Sequence, residues 1–420
     1  MASPTQTTPQ YGSRQLHQTL DLISKTMPDR LYAVVPRSSD LSDGFRDISF
    51  SDMARCSDFV ASWIEGLIGR SAVFKSLCYI GIPDLRSVAT FFGAVKQNAP
   101  SVFFFATEVA PIVTQLEDIK SSLQTLTSPP FQEMLATEHK QFAYEKQSFE
   151  EARNNHIVVL HSSGSTGIPK PITMTHGSFS ILDNERNLPG VPGRRNRDFS
   201  IWDFPGGGRF YHIFPYFHLA GFLSNIGNPV LGPALMPPSG QLLKQIMKSQ
   251  QLRAIYIPPS IAEQLLQEPG SLDLFKKLDF LCYTGAPFSQ GAGQQLVEVT
   301  TLVSLYGSTE AFQVPQLVPS KEDWAYMEWN PNFKLEMHPS EDEKGAYEVF
   351  LFTDASTERI SALNHNLPGM REWRTKDLFK PHLTKPTLCR YFGRRDDIIV
   401  LSNREKFNPV PFEFAMQEQP

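Results

Sequence analysis

Short, largely apolar runs alternate with stretches of helical spacing through most of this chain. Leu77-Cys78-Tyr79-Ile80, Val102-Phe103-Phe104-Phe105, Ile157-Val158-Val159-Leu160, Ala254-Ile255-Tyr256-Ile257, Phe280-Leu281-Cys282-Tyr283 and Leu302-Val303-Ser304-Leu305 are the runs. Continuous apolarity over four or so residues fits strands covered on both faces, as parallel sheets require. Between them, Met53, Cys56, Val60, Trp63 and Leu67 share one helical face. Asp84 can cap a helix through Phe91 and Phe92 to about Gln97, Ser260 after Pro259 starts another, and Ser289 can cap a third. This strand–helix–strand order predicts α/β layers with parallel strands. Several strands run into glycine-bearing turns, Thr284-Gly285-Ala286-Pro287 and Tyr306-Gly307-Ser308-Thr309 among them. Ligands of open α/β sheets collect at such carboxyl ends.

Beyond Glu322 the pattern changes. Lys334 to Met337 and Tyr347 to Phe352 read as strands joined by the charged turn Ser340 to Gly345, which predicts an antiparallel or barrel-like region. Residues 185–210, rich in Gly, Pro, Arg and Asn, read as a long loop. The formal charge of −5, from 39 basic and 44 acidic residues, argues against a nucleic-acid surface. The Arg194-Arg195-Asn196-Arg197 cluster reads as a solvated loop. The 4 cysteines form no C-x-x-C pair, and Cys78 and Cys282 read as core residues in a reducing, cytoplasmic setting. Met1 to Gln10 lacks the apolar segment of a signal peptide, and no apolar run is long enough to span a membrane.

The segment His161-Ser162-Ser163-Gly164-Ser165-Thr166-Gly167-Ile168-Pro169-Lys170 follows one of the apolar strands. Two glycines let the backbone turn back and present N–H groups to an anion; the hydroxyls and Lys170 add donors and charge. The spacing fits neither a Walker loop nor the dinucleotide fingerprint, and a nucleophile elbow would need glycine at Ser163. By itself the segment is either a phosphate grip or an ordinary polar loop.

Ser163 to Lys170, Tyr306-Gly307-Ser308-Thr309-Glu310, Thr375-Lys376-Asp377 and Gly393-Arg394-Arg395-Asp396 stand in the order and spacing of the adenylate-forming superfamily, and the chain resembles that family over nearly its whole length. Ile213-Phe214-Pro215-Tyr216-Phe217-His218-Leu219-Ala220-Gly221, Thr375 to Phe379 and Asp396 to Asn403 resemble the adenylation domains of fungal nonribosomal-peptide-synthetase-like carboxylic acid reductases. The resemblance implies an α/β fold with two αβαβα-type layered sheets plus a distorted β-barrel. It implies ATP and Mg2+ as cofactors and activation of a small carboxylic acid as acyl-adenylate. The acyl group would pass to phosphopantetheine on a downstream carrier domain, with later reduction a further possibility.

The roles carried over by resemblance are these. Ser162, Ser163, Gly164, Ser165, Thr166, Gly167 and Lys170 hold the β- and γ-phosphates; Ala286, Tyr306, Gly307, Ser308, Asp377 and Arg394 hold adenosine and the α-phosphate. Glu310 binds the metal, Thr309 and His218 act at the reacting carboxylate and α-phosphate, and Phe217, His218, Gly221 and Gly285 contact the acyl group. Asp396 is the hinge. Singly, Tyr306 also reads as core, Glu310 as a first-turn acid, Arg394 as a surface ion pair and Asp377 as a turn residue. His212 reads as structural. Phe214 to Phe222 contains no acid, so an α-ammonium would lack a partner. The aromatic residues Phe214, Tyr216, Phe217 and Phe222 favour an aryl acid, with bulky apolar or quaternary-ammonium acids also suited.

Two substitutions depart from the superfamily pattern: Lys376 replaces the usual glycine of the ribose motif, a replacement tolerated in the reductase-like subfamily, and Arg404 stands where relatives have glycine. An arginine forced to positive φ is strained, which bears on the thioester-forming step. The chain ends about 25 residues past the hinge, where family members continue for roughly 100 residues, a small domain's size. Residues 1–393 are therefore expected to be the large N-terminal subdomain and 394–420 the hinge and the start of a C-terminal subdomain that is essentially absent. The lysine of that subdomain is expected to be missing, leaving adenylation by this chain weak. An acyl-CoA ligase using free CoA and a non-catalytic nucleotide-binding module are the alternatives.

Overall fold

A computed structural model describes residues 10–70, 76–99, 101–105, 125–162, 170–196, 208–227, 229–397, 399–400 and 406–407. The glycine-rich segment Ser163 to Pro169, and Arg404, lie outside the described residues.

The apolar runs build two sheets. The larger has the strand order Thr301–Ser304, Phe280–Tyr283, Ala254–Ile257, Phe210–His212, Pro229–Val230, Leu31–Pro36 and Phe45–Ser49. All neighbours are parallel except the last pair, which is antiparallel. The second sheet orders Leu77–Gly81, Ser101–Phe105, His156–Ser162 and Lys170–Thr175, with only the final pair antiparallel. Strands Ala254–Ile257 and Phe280–Tyr283 are buried at every position, as their unbroken apolarity requires.

Helices pack on these sheets where the sequence starts and stops them. Ser49 and Asp52 form a reciprocal capping box that begins Phe50–Ile68 and satisfies two orphan N–H groups. Met53, Cys56, Val60 and Ile64 from that helix are buried in one core with Phe91, Phe92, Val158 and Leu160. Asp84 caps Leu85–Lys96, Ser289 caps Gln290–Val297, and Pro259 takes the first position of Pro259–Leu266, where its missing N–H costs nothing. A polar cluster is enclosed here as well. The Lys96 ammonium, wholly buried, donates to Asp21 at 2.7 Å and to Asp58 at 2.6 Å, and Tyr144 donates to the other Asp21 oxygen at 2.8 Å.

The region beyond Glu322 is antiparallel, as expected. Its sheet orders Leu335–Pro339, Tyr347–Phe352, Glu372–Pro381, Leu388–Arg394, Met327–Trp329, Gln316–Val318 and Arg195–Asn196. Register shifts between Glu348 and Phe350 and between Leu378 and Phe379 mark bulges around Asp377.

Three sequence expectations need correction. Residues 185–210 are not wholly loop: Arg195–Asn196 joins the antiparallel sheet, and Phe210 begins a central strand of the first, mainly parallel sheet. Cys78 is exposed, because Leu77–Gly81 is an edge strand whose alternation sends Tyr79 and Gly81 inward. Cys56, Cys282 and Cys389 are buried free thiols. Tyr216 and Phe222 belong to the core beside Phe91. Among the described residues, no helix is long and apolar enough to cross a membrane.

Candidate active site

The carboxyl ends of the parallel strands face the bulged edge of the antiparallel sheet across a cleft of about 630 Å³. His161 and Ser162 enter it from the end of His156–Ser162, Phe217 and His218 from the turn before the helix Leu219–Asn225, and Tyr306 to Glu310 from the turn after Thr301–Ser304. Thr375, Asp377 and Arg394 complete it from the antiparallel strands. Four separated motifs of the sequence therefore contribute to one cavity.

Asp377 is the most closely held of these groups. The Tyr306 phenol donates to its Oδ2 at 2.7 Å, and Arg394 Nη1 donates to its Oδ1 at 3.2 Å. Its own N–H donates to Thr375 Oγ1 at 3.1 Å, while that hydroxyl donates to the Val349 carbonyl at 2.9 Å. Burial, and then the adjacent Asp377 charge, raises the Tyr306 phenol well above its ordinary pKa, so it is a donor. Its ring packs between Trp329 and Phe379, with centroids at 5.4 and 5.2 Å.

The bulge that aims Asp377 sets Lys376 at φ +63°. A left-handed conformation costs a lysine about 1–2 kcal/mol that a glycine would not lose. Phe312 is likewise at φ +58°, but its complete burial recovers about 1.5–3 kcal/mol. Lys376 is exposed and has no such compensation.

The Tyr306–Glu310 turn is fixed by close backbone approach. A Cβ on Gly307 would lie 2.0 Å from the Phe312 carbonyl oxygen, so only glycine fits the short hairpin of Gly307 and Ser308 with Gln313 and Phe312. Ser308 Oγ accepts from the Ala311 N–H at 3.1 Å, and buried Asn366 donates to the Glu310 carbonyl at 2.8 Å. Thr309 and Glu310 are left half-exposed on the cleft.

His218 is the N-cap of Leu219–Asn225, and its Nδ1 accepts the Ala220 N–H at 3.2 Å. That bond makes Nδ1 the acceptor nitrogen, so Nε2 carries the proton of the neutral ring. One side of the ring opens on the cleft and the other stacks on Phe214 at 6.4 Å; burial lowers its pKa from the ordinary value. His212, by contrast, is enclosed in its strand against Asn225, and burial takes it down to about 4.

A smaller chamber of about 100 Å³ opens beside the first. It shares His218 and Tyr306 to Thr309 with the large cleft and is otherwise lined by Leu219, Ala220, Leu223, Tyr256, Thr284, Leu305, Phe312 and Gln313. None of these described lining side chains is acidic or basic, apart from the neutral imidazole.

Not every expected residue lines a chamber. Gly221 is buried behind the chambers, where a Cβ would come 2.0 Å from the Pro215 carbonyl oxygen. Gly285, at φ +89°, and Ala286 are exposed just past Phe280–Tyr283, with neighbouring Thr284 in the small chamber. Lys170 faces Ser162 across the antiparallel pair, so the two ends of the glycine-rich segment meet. Asp396 lies in the turn Arg395–Asp397 and pairs with Lys376 Nζ at 3.0 Å. Phe214 packs on Tyr256 with centroids 4.4 Å apart and does not line a chamber.

The sequence reading missed Trp373, Leu351, Val314 and Ala311, the apolar wall of the large cleft, and most of the small chamber. Strand alternation back from Asp377 through Thr375 would have reached Trp373. No local signal marks Tyr256, Leu223 or Phe312, which come together only in the folded chain.

A family model described as AMP-binding enzyme matches residues 92–328, more than half of the chain. The chain belongs to the AMP-binding enzymes. Among its relatives, this AMP-binding enzyme is 30% identical over 93% of its length to an isocyanide synthase–NRPS hybrid of Aspergillus fumigatus, covering 27% of that protein. It is 28% identical over 99% of its length to a carboxylic acid reductase of Neurospora crassa, covering 42% of it. The chain thus spans well under half the length of these curated relatives. Its fold matches O-succinylbenzoate coenzyme A synthetase of Bacillus subtilis, solved in complex with ATP and magnesium ion, at a TM-score of 0.66 and 17% identity, covering 97% of this chain and 85% of that one. ATP-bound MatB of Rhodopseudomonas palustris matches at 0.69 and 15%, covering 97% and 84%.

Among the described residues no group of three His, Cys, Asp or Glu side chains converges as a metal site. Glu310 faces the large cleft without such companions. One carboxylate fits magnesium that takes its remaining ligands from phosphate and water.

Proposed function

We propose that this AMP-binding enzyme activates a small carboxylic acid by adenylation. The observation that carries the reading is the meeting, at His218 and Thr309, of one chamber that holds the charged Glu310, Asp377 and Arg394 with a second lined, among the described residues, by no acidic or cationic side chain. The polar one offers Asp377 for a ribose diol; the apolar one suits an acyl group.

In this reading a carboxylate oxygen bonds to the α-phosphorus of ATP while the bond from that phosphorus to the bridging oxygen breaks and pyrophosphate leaves. The His218 Nε2–H orients the carboxylate by a hydrogen bond, and the Thr309 hydroxyl donates to the α-phosphate. Tyr306 and the wall of Trp373 and Val314 flank the base, and Arg394 adds positive charge beside the ribose. Ser162, Lys170 and the segment between them hold the leaving phosphates. Magnesium held by Glu310 neutralises phosphate charge when bound.

The substrate is an acid without an α-amino group, since an ammonium in the small chamber would be desolvated without a partner. An aryl acid fits best, with Tyr256, Tyr306 and Phe312 in place of the aromatic residues the sequence suggested. Phosphopantetheine on a carrier domain takes the acyl group in this scheme, and the reductase relatives support a later reduction. Residues 1–393 act as the large subdomain and Asp396 as the hinge. Cytoplasmic residence belongs to the same reading, and the buried free thiols are compatible with it. Acid-dependent pyrophosphate exchange over a panel of aryl, aliphatic and amino acids tests the proposal; preference for standard amino acids would refute the substrate class.

A further inference from the structure

We infer that Lys376 and Asp396, neither of which lines the cleft, set the position of Asp377 by deciding which carboxylate holds Arg394. The inference rests on the nucleotide reading above.

Four charges alternate along one edge of the site. Lys376 Nζ lies 3.0 Å from Asp396, Arg394 Nη2 lies 3.7 Å from the same Asp396 oxygen, and Arg394 Nη1 lies 3.2 Å from Asp377. The guanidinium therefore stands between two carboxylates and is closer to Asp377. Lys376 accounts for that bias: its ammonium satisfies Asp396, which would otherwise draw Arg394 into a full ion pair. With Arg394 on Oδ1 and Tyr306 on Oδ2, the Asp377 carboxylate is held from both sides in one orientation. If Arg394 moved to Asp396, the carboxylate would lose the guanidinium on Oδ1 and with it that hold from both sides.

The backbone supports a role for the amine. Residue 376 is at φ +63°, a conformation that glycine adopts freely and lysine does not. The lysine is not buried against an apolar surface in return; its side chain is 48% exposed and reaches Asp396. What it adds over glycine is the charge on Asp396. Lys376 is thus a positioning residue, acting on a bound ribose through Asp396, Arg394 and Asp377.

The test is calorimetric binding of AMP and of its 2′,3′-dideoxy analogue, which lacks the diol, to the wild-type chain and four variants. Lys376→Met should weaken AMP about three- to five-fold at low salt, the scale of a partly exposed ion pair. The dideoxy analogue should be unaffected. Lys376→Arg should restore AMP binding, and Lys376→Met with Asp396→Asn should also restore it, because the competing carboxylate is gone. Lys376→Gly should raise the thermal midpoint yet bind AMP as weakly as Lys376→Met. Unchanged AMP affinity in Lys376→Met, equal losses for both ligands, or no recovery in the double variant would each overturn the inference while leaving the nucleotide reading intact. A wild-type chain that binds neither ligand would overturn both.

Discussion

Tyr306 and Asp377, 71 residues apart in sequence, meet through a 2.7 Å hydrogen bond that joins the end of the parallel sheet to the antiparallel one. Both residues line the cleft, so the proposed ribose contact would depend on the packing of one sheet against the other. The phenol is set by Trp329 and Phe379, and the carboxylate by the bulge at Lys376.

Tyr306→Phe keeps the ring and removes the donor. A hydrogen bond to a charged acceptor is worth about 1.5–3 kcal/mol, so AMP affinity should fall about ten-fold or more. Titration calorimetry reads this directly. Wild-type affinity in the variant would mean that the phenol does not order Asp377.

His218 has two duties that substitution can separate. Asn is a good N-cap, so His218→Asn should keep the stability that His218→Ala loses, about 1 kcal/mol by denaturant unfolding. Both variants should lose acid-dependent pyrophosphate exchange, because neither places a donor where Nε2 stands. Burial depresses the imidazole pKa, so the neutral, capping form persists as pH falls to and somewhat below the ordinary histidine value. The acid contribution should accordingly be flat from about pH 8 to 6.5.

Ala220→Leu should fill the small chamber and leave the large cleft open. AMP should bind within about two-fold of wild type, since the change is apolar and removed from Asp377. The added affinity of an acyl-adenylate mimic over AMP should vanish. A variant that still prefers the mimic would place the acyl group elsewhere.

Acid should destabilise the fold through its enclosed histidines. Burial takes His176 and His212 down to about 4, and His17 falls well below its ordinary value for the same reason, with the neighbouring His176 and Lys96 adding to it. Their folded pKa values are depressed, so the unfolded chain binds more protons between the unfolded and folded values. Stability is therefore full above about pH 6.5 and is lost as pH falls toward 4, by on the order of 2–3 kcal/mol each for His176 and His212. Urea midpoints at pH 7 and pH 5 check the slope, and His212→Asn should flatten it.

Much of this arrangement was legible before the fold was known, and the limits are physical. The parallel strands announced themselves because strands buried on both faces have no polar positions, as at Ala254–Ile257 and Phe280–Tyr283. The strand Phe210–His212 did not, because it is three residues long and carries a histidine that only burial neutralises. Asp377, Arg394 and Tyr306 could be found because each sits in a contiguous motif. The small chamber could not: Leu223, Tyr256 and Phe312 belong to three elements, and only packing brings them together. The same blindness led the aromatic run at 214–222 to be read as a pocket wall, although Tyr216 and Phe222 belong to the core.

The central claim is that one site joins a nucleotide to an acyl group through His218 and Thr309. Binding of a non-hydrolysable acyl-sulfamoyl adenosine to this chain, compared with AMP, tests it most directly. The account predicts that an aryl-acyl mimic binds at least about ten-fold more tightly than AMP, since burying even a small ring removes well over 1.4 kcal/mol of apolar surface from water. An aminoacyl mimic should gain nothing. If the aryl mimic bound no better than AMP, or the aminoacyl mimic bound best, the two-chamber account would be contradicted.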